Sequence, residues 1–172
     1  MVKKNYVIFT MLLLVAVLSP QTLTAQTFIG CTATNLGDPP RIVYQCAGGV
    51  TLEAEAATIL GIVESGNNDR PSEAEISSDG VLIEVAPGSG PFQIRTPHAI
   101  AAVRGTVYAV DVHDGKTAVF VSRGEVVVSR PDGSEPVVLT GGDGTDVAPG
   151  EPITVRQWPM ERVNAFLSRF GR

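Results

Sequence analysis

Between Gly80 and Val155 apolar and polar side chains alternate in short runs closed by turn-forming residues, and this period of two predicts β-strands. Val81, Ile83 and Val85 share one face of a strand, and Phe92, Ile94 and Thr96 share one face of the next. Asp114-Gly115 is a type I′ hairpin pair. A hairpin centred there sets Val112 opposite Thr117, Val110 opposite Val119 and Tyr108 opposite Val121, with Asp111, His113, Lys116 and Ala118 on the other face. Arg123-Gly124, taken as a second two-residue turn, pairs Val121 with Val126 and Val119 with Val128 and keeps the apolar face continuous. A turn over residues 131–134 leads into Val137, Val138 and Leu139, and Ile153 and Val155 close the series. The expectation is an all-β domain over residues 51–158, a single antiparallel meander, solenoid-like stack or sandwich.

Upstream the pattern is weaker. Residues 26–50 read as a loop-rich segment with a rigid turn at Asp38-Pro39-Pro40. Val50, Leu52, Ala54 and Ala56 alternate with Thr51, Glu53 and Glu55, which favours a strand within residues 50–64. Residues 65–79 are polar and turn-rich and read as a surface loop. At the other end, over residues 159–172, the period changes. After Pro159, Met160, Val163, Phe166, Leu167 and Phe170 recur at three- and four-residue steps, and Gly171 stops the run. This amphipathic helix either covers an open end or edge of the sheet or presents Phe166 and Phe170 to a partner or membrane surface.

Residues 1–25 stand apart from the fold. Lys3 and Lys4 precede 13 apolar residues from Tyr6 to Leu18, and Leu23-Thr24-Ala25 supplies the small-residue ending of a secretory signal cleaved after Ala25. The apolar run falls short of the roughly 20 residues that span a bilayer. No later segment is apolar enough to cross, so no transmembrane span is expected after cleavage.

Composition agrees with a β-rich exported chain. Gly and Pro supply 30 of 172 residues, and 44% of the chain is hydrophobic, which excludes disorder throughout. Cleavage removes two of the 13 basic residues and leaves 11 against 18 acidic ones, a net charge of −7. Nucleic acid is therefore excluded as a partner. Cys31 and Cys46 are the only cysteines, and an oxidising compartment should pair them as a disulfide. A metal site at these cysteines would lack its other ligands, since the histidines, His98 and His113, are remote in sequence and no C-x₂-C step is present.

The chain offers no catalytic set. There is no G-x-S-x-G elbow and no H-E-x-x-H pair, His98 follows a Thr-Pro turn, and His113 stands at a hairpin mouth. Neither an enzyme nor a cofactor is expected. Gly141-Gly142-Asp143-Gly144-Thr145-Asp146 fits the start of a calcium-binding nonapeptide, but in one copy only, and Ala148 replaces its large apolar residue. A glycine-rich turn is the better reading of that segment. Together with Asn67, Asn68 and Asp69 it motivates the alternative function, a calcium-dependent structural or adhesive envelope protein.

The order of Thr96-Pro97, then Val103-Arg104-Gly105-Thr106 with Val107-Tyr108-Ala109-Val110, then Gly124-Glu125-Val126 resembles the core signature of the FecR domain family over residues 80–150. The resemblance implies a periplasmic, solenoid-like all-β domain without catalytic residues or cofactor. It also implies sensory or protein-interaction work in envelope signalling, with an unidentified envelope protein or ligand as partner. Family members tied to iron-siderophore signalling add a cytoplasmic anti-sigma segment and a membrane span, and receive their signal from a TonB-dependent transducer. Here the apolar segment begins at Tyr6, which leaves no room for such a segment, so a stand-alone exported module is expected. Within the motif the residues read as mainly structural. Gly105 makes a bend, Arg104 holds it through a carboxylate or backbone carbonyls, and Thr106 starts a strand.

Overall fold

A computed structural model of the chain describes residues 28–65 and 68–172. The proposed signal segment, residues 1–25, and Asn67 lie outside the described residues.

Two sheets, one antiparallel and one with a single parallel pair, pack face to face. The chain enters through β1 (Cys31–Gly37), β2 (Pro40–Cys46) and β3 (Val50–Glu55), crosses to β4 (Leu60–Ser65) and β5 (Asn68–Ile76), and returns in β6 (Asp79–Val85). It crosses again for β7 (Phe92–Arg95) and β8 (Ile100–Val103), and returns for β9 (Val107–His113) and β10 (Lys116–Arg123). The last excursion is β11 (Glu125–Ser129) and β12 (Val137–Thr140), followed by β13 (Asp143–Val147), β14 (Arg156–Gln157) and α1 (Met160–Ser168). The first sheet has the order β1-β2-β3-β6-β9-β10-β13-β14, the second β12-β11-β8-β7-β5-β4. β5 and β7 run parallel, while the other ladders are antiparallel.

The alternation carries through to burial. Val81, Ile83 and Val85 of β6, Tyr108 and Val110 of β9, and Val119 and Val121 of β10 face Phe92, Ile94, Val103, Val126, Val128 and Leu139 of the second sheet. The Asp114-Gly115 hairpin has the expected register, with Thr117 opposite Val112, Val119 opposite Val110 and Val121 opposite Tyr108. Both turn residues have positive φ, 49° and 70°, as a type I′ turn requires.

The structure corrects five expectations. Within residues 26–50 the chain forms the β1–β2 hairpin in place of a loop-rich segment, because Ile42, Tyr44 and Cys46 alternate toward the interior. The strand expected within residues 50–64 is two strands in different sheets, broken at residues 56–59, and the polar stretch 65–79 contains β5. Pro71, Ala74 and Ile76 are buried there, a spacing too sparse to show as alternation. Arg123-Gly124 does not close a hairpin, since β10 pairs with β9 and β13 while β11 pairs with β12 and β8. The apolar face does continue from Val121 to Val126, but it folds across the core from one sheet to the other. Ile153 and Val155 lie outside the strands, and β14 follows them.

The helix covers a face, not an end or an edge. Leu82, Ala109, Ala118 and Phe120 form a second apolar layer on the outside of the first sheet, beneath Trp158, Val163, Phe166 and Phe170. Phe166 and Phe170 are 6% and 0% exposed, so the aromatic stripe is buried against its own sheet and is not offered to a partner. Glycines make the seat: a Cβ on Gly80 would meet Phe170 at 3.1 Å, and one on Gly144 would meet the Trp158 indole at 2.2 Å.

Candidate functional site

The Val103-Arg104-Gly105-Thr106 motif is the corner at which the chain leaves β8 in the second sheet and enters β9 in the first. Val103 is buried in the core, and the backbone then turns through Gly105 at φ +69°, a conformation that costs other L-residues roughly 1–2 kcal/mol. A Cβ there would also stand 3.1 Å from Cα of Pro87. Thr106 is fully buried. Its hydroxyl donates to the Glu125 carbonyl at 2.9 Å, and its own carbonyl accepts the Val85 N–H at 2.9 Å.

These contacts join three successive crossings. The β6–β7 crossing passes Pro87, the β8–β9 crossing passes Gly105, and the β10–β11 crossing passes Gly124 at φ +94°. A Cβ on Gly124 would meet Thr106 Oγ1 at 2.9 Å and the Gly105 carbonyl at 3.1 Å. The ladder continues where Gly142 N–H donates to Val121 O at 2.8 Å. Arg-Gly-Thr and Gly-Glu are therefore neighbouring rungs of one rim.

Thr96-Pro97 does equivalent work at the opposite rim. Thr96 is buried, accepts the Ala99 N–H at 2.8 Å and stands 2.8 Å from Thr117 Oγ1, so it ties the β7–β8 turn to β10. His98 Nδ1 lies 3.3 Å from the same Thr117 hydroxyl. His113 faces Asp114 at 3.4 Å on an exposed hairpin tip, next to Val112, which pairs with Thr117. The polar partners of the two histidines differ, Thr117 for His98 and Asp114 for His113.

Arg104 departs from its expected role. It is exposed, and among the described residues its guanidinium pairs with no carboxylate or carbonyl, because the corner is already held by Gly105, Thr106 and their backbone bonds. It stands between two shallow grooves that also share Pro91. One, of about 500 Å³, runs onto the outer face of the second sheet along Ser72, Gln93, Ala102, Glu125 and Val127. The other, of about 480 Å³, passes over Pro87, Gly88 and Gly90. Arg70 braces the loop from below, donating to Pro91 O at 3.0 Å and Gly90 O at 3.3 Å. Among the described residues Arg70 has no carboxylate partner either, and the part-apolar groove carries Arg104 and Glu125 as its charged lining.

The remaining polar clusters are engaged in structure. Asp143 accepts from Thr140 N–H and Oγ1, both at 2.8 Å, and from Gln157 at 2.5 Å, and these bonds hold its carboxyl below the usual range. Asp146 is held in a two-pronged pair by Arg162, at 2.6 and 3.0 Å. The two carboxylates of the glycine-rich stretch thus face different partners. Cys31 and Cys46 stand opposite one another across β1 and β2 at disulfide-bonding distance.

Sequence reasoning missed the anchors of the helix. Arg169 donates to Glu55 and, at 2.8 Å, to Asp111, while Glu55 also accepts the Gly80 N–H at 2.7 Å. Arg172 pairs with Glu53, and the Arg162 guanidinium lies 3.6 Å over the Trp158 ring. Asp111, on the polar face of its hairpin, was the visible half of this arrangement. Its partner 58 residues away was not visible.

A family model described as FecR protein matches residues 37–127, more than half of the chain, and the protein belongs to that family. The match contains Thr96-Pro97, Arg104-Gly105-Thr106 and Gly124-Glu125. No curated protein matches the chain by sequence. Two crystal structures of a "putative anti-sigma factor" from Parabacteroides distasonis are similar in fold, with TM-scores of 0.57 and 0.51 and identities of 19% and 21%. Each likeness covers 83% of this chain and 63% of the other, so the chain spans under two thirds of those proteins.

Proposed function

We propose that the chain is a periplasmic, non-enzymatic sensory or protein-interaction module that contributes to signalling in the cell envelope. The observation that carries this reading is the division of labour within its family motif. Val103, Gly105 and Thr106 are absorbed by the corner, whereas Arg104 is left to solvent beside a part-apolar groove. An exposed, unengaged guanidinium on a rigid corner suits recognition of an acidic group on a partner.

Membership of the FecR family supports the signalling role, as does a fold shared with proteins described as anti-sigma factors. The charged start, apolar run and small-residue ending of residues 1–25 support export to the periplasm. Binding is favoured over catalysis because the histidines have different partners, Thr117 for His98 and Asp114 for His113, and neither is hydrogen-bonded to a cysteine or serine among the described residues.

The test is capture from an envelope extract on immobilised protein, wild type beside Arg104→Glu. The reading expects an envelope partner that wild type retains and Arg104→Glu releases. An identical set of retained proteins on both, or none on either, contradicts it.

A further inference from the structure

We infer that the open edge of β1 is a pairing site for a second copy of this chain, joined strand to strand about a twofold axis at Thr34. Four strands end the two sheets, and three of them are blunted. β14 has two residues, β12 has four and follows Pro136, and the ladder of β4 to β5 shifts register between Val63 and Ser65. β1 keeps an unbroken register with β2 over all seven residues, carries no charged side chain and no proline, and is exposed from Thr34 to Gly37. Soluble proteins ordinarily protect an edge of this length with charge, proline, a bulge or a cover.

The backbone of that edge is aligned for pairing. In an antiparallel ladder, pairs that exchange hydrogen bonds alternate with pairs that do not. The Ala47 N–H donates to the Gly30 carbonyl at 2.8 Å, so Gly30 and Ala47, one step beyond Cys31 opposite Cys46, are a pair of the first kind. Cys31 therefore belongs to the second kind, and so do Ala33, Asn35 and Gly37 at steps of two. These residues turn their N–H and C=O groups outward.

A twofold axis at Thr34 sets Ala33 of each copy opposite Asn35 of the other, and each of those two pairs exchanges two hydrogen bonds. Thr34 then meets Thr34, a favourable cross-strand match, and Thr32 meets Leu36, which is 38% exposed in the single chain. The sequence of the strand selects the occupant. With no charge along it, the edge does not repel its own copy, although the chain as a whole carries −5. It also offers a foreign strand no charge to choose it by. An isologous pair of this kind closes on itself and leaves no further edge of β1 to extend.

Sedimentation equilibrium of the purified protein from micromolar to about millimolar concentration tests the inference. The expected result is a rise from the mass of one chain to the mass of two. Thr34→Lys places like charges opposite one another, and Asn35→Pro removes an outward N–H from an edge that tolerates proline. Each should raise the dissociation constant about tenfold or more, whereas Val127→Lys on the second sheet should leave it unchanged. Thr34 is exposed, so its replacement leaves the melting temperature in place and serves if Asn35→Pro fails to fold. The mass of one chain throughout, a dimer that Thr34→Lys leaves intact, or equal loss in Val127→Lys overturns the inference.

Discussion

The Thr106 hydroxyl donates to the Glu125 carbonyl across 2.9 Å and so ties the β8–β9 corner to the β10–β11 corner 19 residues further on. Removing the hydroxyl while keeping the shape isolates this tie. Thr106→Val should destabilise the protein by about 1–3 kcal/mol, because the Glu125 carbonyl loses its partner in the packed rim. Gly105→Ala should cost about as much through its positive φ and the closeness of Pro87. Denaturant titration of both variants checks this, and midpoints equal to wild type would remove the rim from the account.

The helix is a fixed part of the body. Phe170 is fully buried between Phe166 and the outer face of the first sheet, and Phe170→Ala should cost about 3–5 kcal/mol. Thermal unfolding measures it. A melting temperature within error of wild type would mean that the helix does not rest on the sheet in solution.

Asp143 gives stability a sign in acid. Its carboxyl titrates below the usual range in the folded chain because it accepts from the Thr140 N–H, the Thr140 hydroxyl and Gln157. A depressed folded value means that the contribution is complete above the unfolded value near pH 4 and is lost as pH falls through the folded one. Asp143→Asn should therefore flatten the acid side of the stability curve and leave its neutral side with a constant offset. Chemical denaturation at a series of pH values between 2 and 7 checks the shape, and an unaltered acid slope would contradict it.

The cysteines yield a chemical prediction. The unreduced protein should take up no thiol reagent, because Cys31 and Cys46 are joined across neighbouring strands. Reduction should expose two thiols and lower stability by on the order of 3 kcal/mol, the chain-entropy value for a loop of this size. Labelling at two sites before reduction would contradict the pairing.

How far residues alone lead depends on whether the physics is local. The Asp114-Gly115 hairpin is local: two residues able to adopt positive φ, flanked by alternating apolar positions, set the register from Tyr108 to Val121. Gly124 also has positive φ, but there the same dipeptide logic fails. Alternation states only that Val121 and Val126 face the same core, and a hairpin and a crossing between sheets satisfy that equally. What decides is the rim, where Gly124 must clear Thr106 from a distant corner. β5 was missed for a related reason, since its buried residues sit among Asp69, Glu73 and Glu75 and show little apolar contrast. At the candidate site the bend at Gly105 was readable from glycine's place before a β-branched run. The release of Arg104 to solvent was not, because it follows from Thr106 and Pro87 having already secured the corner.

The central claim is that the family motif separates into a framework, Gly105 and Thr106, and a contact residue, Arg104. The most direct test is the transcript profile of cells producing Arg104→Glu from the native locus, compared with wild type and with deletion of the whole chain. The account predicts that Arg104→Glu protein accumulates at the wild-type level with an unchanged melting temperature, and that it alters the same transcripts as the deletion. A wild-type profile from stable Arg104→Glu protein, when the deletion does change transcripts, would contradict it.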